Sequence, residues 1–211
     1  MALPEIVKVC GITNADDARY AAEQGATTLG FIFYQGSPRC VTPQEAAMIG
    51  ATLPKTVLRV GVFVDEKPAR IRMTTSLAGL DIVQLHGDES PAVCEELSDL
   101  RVWKVFRVAP GFSVDRLKPY SCEAFFFDTA SDGAYGGTGR TFPWPIAVEA
   151  KQYGPVIVAG GLDAENVGEA IRQVAPDGVD ASSKLERKPG LKDPDKVKAY
   201  LDAALAARLE T

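Results

Sequence analysis

A chain of 211 residues with 46% hydrophobic content holds enough apolar material for a sizeable core, and 24% charged residues make an ordinary hydrated surface. Lys and Arg number 23 against 28 Asp and Glu, a formal net charge of −5, which argues against a generic phosphate-backbone binder and so against a nucleic-acid partner. The cysteines Cys10, Cys40, Cys94 and Cys122 form no CxxC pair and His86 is the only histidine, so reduced thiols in a cytoplasmic protein fit better than zinc ligands or disulfide staples.

The first residues, MALPEIVKVC, run straight into strand-like sequence without the basic flank and apolar run of a signal peptide. No apolar segment is long enough to span a bilayer, and no membrane partner is expected. From there the chain alternates. IVKVC (6–10) reads as a strand, and NADDARYAAEQGA follows as a helix with an Asn/Asp start and a Gly stop. TLGFIF (28–33) is the second strand, and TPQEAAMIGATL opens its helix with a Thr cap and Pro at the first helical position. VLRVGVFV (57–64), DIVQL (81–85) and VWKVFRV (102–108) are strands separated by DEKPARIRMTTSLAG and DESPAVCEELSDL. The connection at 109–123 is only weakly helical. AFFFD (124–128), PVIVA (155–159) and GVDAS (178–182) complete the strands; DAENVGEAIRQV and KDPDKVKAYLDAALAARL are helical.

These strands are short and mostly continuous in hydrophobicity, the pattern of parallel strands buried on both faces. Eight strand–helix units with no internal linker predict a closed (β/α)8 TIM barrel, one catalytic domain over residues 1–211. A doubly wound open sheet is the competing arrangement. It usually carries fewer strands, and its phosphate-binding glycines follow the first strand rather than the seventh.

In a barrel, chemistry sits at the C-terminal ends of the strands. Strand 1 ends in Cys10, strand 2 leads to Arg39 in SPR, and strand 4 ends in QLHGDE with Gln84, His86 and Asp88. Strand 6 ends in Asp128, strand 7 in AGG with Gly160 and Gly161, and strand 8 carries Asp180 before Ser182 and Ser183. Cys10 reads either as a small buried hydrophobe or as a nucleophile or base, with Lys8 on the same strand face to favour the thiolate. Asp128 either caps a turn or, against hydrophobic walls, holds a proton and acts as an acid. Arg39 is either a solvated surface residue or a planar fork for a substrate carboxylate. His86 is a loop histidine, a pocket hydrogen-bonding group, or half of a Cys10–His86 acyl-transfer dyad that lacks an evident orienting partner. AGGL before a helix start, beside DASS on the next strand, matches the phosphate site that barrels build after strands 7 and 8. GGTG (136–139) is a lid or an additional phosphate contact.

Taken in order, VKVCGIT, GFIFYQGSPRCV, VGVFV, VQLHGDE, Asp128 with GGTG, VIVAGGLDAENV and GVDASS…PGLKD closely resemble the phosphoribosylanthranilate isomerases of tryptophan biosynthesis, from residue 7 to about residue 198. The resemblance implies an aldose–ketose isomerase with a barrel fold. It implies an Amadori rearrangement of N-(5-phosphoribosyl)anthranilate to 1-(2-carboxyphenylamino)-1-deoxyribulose 5-phosphate, with no cofactor and no metal. Carried over, Cys10 is the general base, Asp128 the general acid and Arg39 the carboxylate-binding residue. His86 and Asp180 line the pocket, while Gly160, Gly161, Ser182 and Ser183 hold the phosphate. Two positions depart from the family. Lys184 stands where glycine usually follows the serines, so it is expected to strain or open the turn or to add a cation beside the phosphate. FPW (142–144) replaces FDW, which removes a capping carboxylate while leaving Pro145 to begin the helix. Another phosphosugar isomerase and a non-catalytic phosphosugar-binding barrel are the alternative functions, and a monomer and a homodimer are equally compatible with the sequence.

Overall fold

Strands that are apolar on both faces need cover on both, and a closed barrel inside a ring of helices supplies it. A computed structural model describes residues 6–129 and 142–209. In it the strands β1 (Ile6–Cys10), β2 (Thr28–Ile32), β3 (Leu58–Phe63), β4 (Ile82–Leu85), β5 (Val102–Val108), β6 (Ala124–Thr129), β7 (Val156–Val158) and β8 (Gly178–Ala181) pair in parallel in chain order. The barrel closes through β1 on β8, with Lys8 opposite Asp180. Helices α1 (Ala15–Glu23), α2 (Pro43–Gly50), α3 (Pro68–Ala78), α4 (Pro91–Glu96), α5 (Pro145–Ala150), α6 (Val167–Val174) and α7 (Pro194–Arg208) fill the connections. Between β5 and β6 the weakly helical stretch forms only a 3₁₀ turn, Val114–Leu117. A small antiparallel hairpin that the periodicity does not announce follows β8: β9 (Glu186–Lys188) and β10 (Leu191–Lys192).

The helix starts are built by the residues expected to build them. Asn14 accepts from Asp17 N, and Asp193 accepts from Asp195 N and Lys196 N. Thr42 and Glu45 close a reciprocal capping box ahead of Pro43, each such cap being worth about 1 kcal/mol. Helix α5 begins at Pro145 with no side-chain cap, in line with Pro143 in place of a carboxylate.

The two-residue period of the strands sorts the core. Val7, Val9, Leu29, Phe31, Phe125, Phe127, Val156 and Val158 point outward and pack with Ala18, Ala21, Ile49, Ile171 and Leu201 of the helices. Ile6, Val60, Ile82, Trp103, Val105, Ala124, Phe126 and Ile157, of the other parity, fill the barrel interior. Continuing inward positions toward the C-terminal ends, apolar residues give way to Cys10, Gln84, Asp128, Asp180 and Ser182. Pleat parity alone therefore aims these side chains into the barrel mouth. No helix among the described residues is long and apolar enough to cross a membrane.

Candidate active site

One cavity at the barrel mouth is lined by Cys10, Arg39, Gln84, His86, Asp128, Gly160, Gly161, Asp180, Ser182, Ser183 and Lys184. Every residue to which the family resemblance assigns a role lies on it. Asp88 does not: it is exposed and pairs with Arg107. The other thiols stand apart, Cys94 buried in α4, Cys122 ahead of β6 and Cys40 exposed. GGTG (136–139) lies outside the described residues.

Cys10 closes β1 against β2, where Gly30 faces it. A Cβ on Gly30 would stand 2.6 Å from Cys10 Sγ and 3.1 Å from Lys8 Nζ, so the bare glycine makes the room in which thiol and ammonium lie together. Lys8 is fully buried and bonds Asp180 Oδ1 at 2.9 Å. Burial lowers its ammonium, but Asp180 and Cys10 outweigh that and hold it above the ordinary lysine value. Lys8 favours the thiolate as expected, but it is outweighed. Burial pushes the thiol up, and Lys8, although it pulls the other way, does not overcome the loss of solvent. Burial likewise raises Asp180 despite its ion pair.

Across the mouth, Asp128 is buried at the end of β6 and its Oδ1 accepts from Thr129 N at 2.8 Å. His86 Nε2 lies 3.2 Å from Asp128 Oδ2 but without hydrogen-bond alignment, since that nitrogen has no partner among the described residues. Gln84 Nε2 stands 3.2 Å from His86 Nδ1, and Gln84 Oε1 is also buried and unpartnered. Buried polar atoms are rarely left unpaired, and two such atoms on residues lining one cavity mark where a polar ligand would satisfy them. His86 and Cys10 do not form a dyad: the ring's close neighbours are Gln84 and Asp128. A buried pair holds the loop after β4. Glu89 accepts from Asp65 N, Gly87 N and Lys104 Nζ, at 3.0, 2.9 and 2.8 Å.

The turns after β7 and β8 supply an anion site. Gly160 and Gly161 have φ of 81° and 67°, and a Cβ on Gly160 would lie 2.5 Å from Thr129 Oγ1 and 2.9 Å from Asp128 Oδ1. Positive φ and this close approach both call for glycine. Ser182 Oγ donates to Cys10 O at 3.1 Å, and Ser183–Leu185 form a 3₁₀ turn. Lys184 has no positive φ, so the expected strain does not arise; this backbone accommodates a side chain. Its ammonium is half-exposed and 3.4 Å from Asp163 Oδ2.

Arg39 brings a surprise. Its fork is not free: Nε and Nη2 donate to Glu186 Oε1 and Oε2 at 2.8 and 2.7 Å. Sequence reading missed Glu186 and its second partner Lys192, although PG (189–190) announced the turn that joins them.

Residues 7–203 match the family of N-(5′-phosphoribosyl)anthranilate isomerases. The chain is 48% identical over 198 residues to the N-(5′-phosphoribosyl)anthranilate isomerase of Geotalea uraniireducens, covering 94% of this chain and 97% of that one. The crystal structure of the Thermus thermophilus phosphoribosylanthranilate isomerase superposes with a TM-score of 0.87 at 32% identity, covering 95% of this chain and 98% of that one. A solved isomerase in complex with reduced 1-(o-carboxyphenylamino)-1-deoxyribulose 5-phosphate has a TM-score of 0.82 at 34% identity, with the same coverage. Sequence, closed barrel and cavity agree, and the chain belongs to the N-(5′-phosphoribosyl)anthranilate isomerase family.

Proposed function

We propose that Cys10 and Asp128 are the general base and general acid with which this chain carries out its family's reaction, the isomerisation of N-(5′-phosphoribosyl)anthranilate in tryptophan biosynthesis. The observation that carries the assignment is their placement. A thiol on β1 and a carboxyl on β6 line one cavity, the thiol lying beside Lys8 and the carboxyl held by Thr129 N. Asp128 gives a proton to the furanose ring oxygen, the C1–O bond breaks, and the amine lone pair forms the iminium. Cys10, as thiolate, takes the proton from C2, and those electrons flow into the iminium to give an enolamine. Protonation at C1, with loss of the C2 hydroxyl proton, then yields the aminoketose. The substrate's own iminium is the electron sink, so both protein groups only move protons. Lys8, at the back of the thiol, stabilises the thiolate when it forms.

Gly160, Gly161, Ser182 and Ser183 offer backbone donors to the phosphate, and Arg39 meets the aromatic carboxylate. His86 and Asp180 line the sugar between them. The test is consumption of the fluorescent substrate by purified protein. Cys10→Ala and Asp128→Ala each lose most of kcat, because both proton transfers occur in the transition state. Either variant turning over near the parent rate refutes its assignment.

A further inference from the structure

One buried charge cluster beside the cavity supplies neither of the two groups that exchange protons in the reaction proposed above. In ERKPGLK (186–192), Pro189 and Gly190, the latter with φ 78°, form the turn that Pro and Gly favour at successive central positions. The turn folds β10 back on β9 so that Lys192 pairs across from Glu186. The Glu186 carboxylate thereby accepts from Lys192 Nζ at 3.0 Å while it grips Arg39 along the Nε–Nη2 edge. The side chains of Glu186 and Lys192 are only 4% and 2% exposed. Lys192 Nζ also reaches Ser182 O at 3.1 Å, which ties the cluster to the phosphate turn.

A carboxylate beside the arginine that is to bind a carboxylate looks self-defeating, because an Arg–Glu pair is neutral. Lys192 resolves this. Two cations and one carboxylate leave one net positive charge, so the cluster still attracts an anion. The grip also decides which edge of the guanidinium is presented: with Nε and Nη2 engaged, Nη1 remains for the cavity. Gly11 assists, since a Cβ there would meet Arg39 Cδ at 2.7 Å; the arginine stem crosses directly over the end of β1.

We infer that Glu186 is a positioning residue for the substrate carboxylate, fixing the orientation of Arg39 while Lys192 preserves the positive charge of the group. The inference rests on the assignment of Arg39 above and adds the residue through which that arginine acts. It is not a catalytic role, because Glu186 is engaged with Arg39, Lys192 and the hairpin.

The test uses competitive inhibition by 2-aminobenzoate, which has only the carboxylate end, and by inorganic phosphate, which has only the other. In Glu186→Gln, the Ki of 2-aminobenzoate and the KM of the substrate rise roughly tenfold, the equivalent of one positioned charge-assisted contact. The Ki of phosphate and kcat stay within about twofold, a split a general loosening of the fold would not produce. In an Arg39→Ala background, adding Glu186→Gln changes Ki no further, because the residue acts through the arginine. Glu186→Gln with Lys192→Met keeps the parent's net charge at this site. It serves if the single variant fails to fold, with the same Ki pattern expected. Equal effects on both probes, full additivity with Arg39→Ala, or tighter binding of 2-aminobenzoate overturns the inference and leaves Arg39's role intact. An Arg39→Ala enzyme with unchanged KM and Ki sinks the assignment of Arg39 itself, and the inference with it.

Discussion

Gly30 to alanine tests whether the proposed base, the Cys10 thiol, depends on a gap in the neighbouring strand. A methyl at Gly30 would lie 2.6 Å from Cys10 Sγ and 3.2 Å from Cys10 Cα. Non-bonded heavy atoms settle at about 3.5–4.0 Å, so the sulfur must move by about 1 Å. Rotating the thiol away is not enough, because the methyl also crowds the backbone of β1. Overpacking of this kind destabilises by about 1–3 kcal/mol, and a misplacement of about 1 Å costs on the order of 100-fold in rate. Gly178 is the matched control. A Cβ there meets Ile6 Cβ at 2.7 Å and Ile157 Cγ1 at 3.2 Å, an equal crowding at the other end of the strands. Gly30→Ala and Gly178→Ala should both lower the melting temperature, but only Gly30→Ala should lose kcat, by roughly two orders of magnitude. Thermal melts and substrate turnover in parallel decide it. A Gly30→Ala enzyme with parent kcat, or a Gly178→Ala enzyme equally impaired, would falsify the claim that the Cys10 pocket is set by Gly30.

The raised Cys10 thiol predicts a pH profile. In the range where it is mostly protonated, each rise in pH increases the thiolate fraction, so kcat/KM climbs from neutral into alkaline pH. Lys8→Met moves that limb to still higher pH by removing the cation that opposes burial, and a limb moved to lower pH contradicts the charge arrangement. Lys184→Met should raise the Ki of inorganic phosphate and weaken its salt dependence; an unchanged Ki would mean that the ammonium stays with Asp163 and takes no part. Cys94 predicts an alkaline loss of stability. Its buried thiol is pushed from 9.0 up to about 11. A raised acid favours its protonated form in the fold, so its contribution is complete below the unfolded value and lost as pH rises toward 11. The rise amounts to at most about 3 kcal/mol. Chemical denaturation at pH 8 and 10.5 should show a smaller fall in Cys94→Ala than in the parent, and identical falls would refute the linkage.

Much of this molecule is legible because local signals and the global fold agree. IVKVC and VWKVFRV give their strands to the residue, since a continuous apolar run bounded by turn residues leaves little freedom in register. Several other runs, such as TLGFIF and PVIVA, reach beyond the strands they form, because hydrophobicity continues into the loops that carry the site. The 109–123 segment has no helical stripe and makes only a 3₁₀ turn. What was hidden was pairing at long range. Lys8 and Asp180 are 172 residues apart, and only barrel closure makes them neighbours. Arg39 and Glu186 are 147 apart. Residue types disclosed the candidate acid, base and cation. The environment that tunes each depends on strands and loops meeting from opposite ends of the chain.

That tuning explains why charged groups lie so deep. A buried ion pair contributes little stability relative to a packed apolar one, and breaking it by removing one partner typically costs about 3–5 kcal/mol. Lys8 and Asp180 occupy one pleat level next to Cys10, at a level where Phe126 and Ala159 would otherwise invite an apolar core. Without Lys8, a thiolate there would lose its main opposing charge and keep only that of Lys192; without Asp180, the ammonium would lose its ion-pair partner. Burial favours the protonated thiol, while the pair keeps a cation within reach of a thiolate. On the far side the same economy holds for Asp128, whose Oδ1 is fixed by Thr129 N while Oδ2 faces His86. One oxygen is fixed by the Thr129 backbone and the other lies beside His86 on the cavity wall, the orientation that the proposed role of Asp128 as acid calls for.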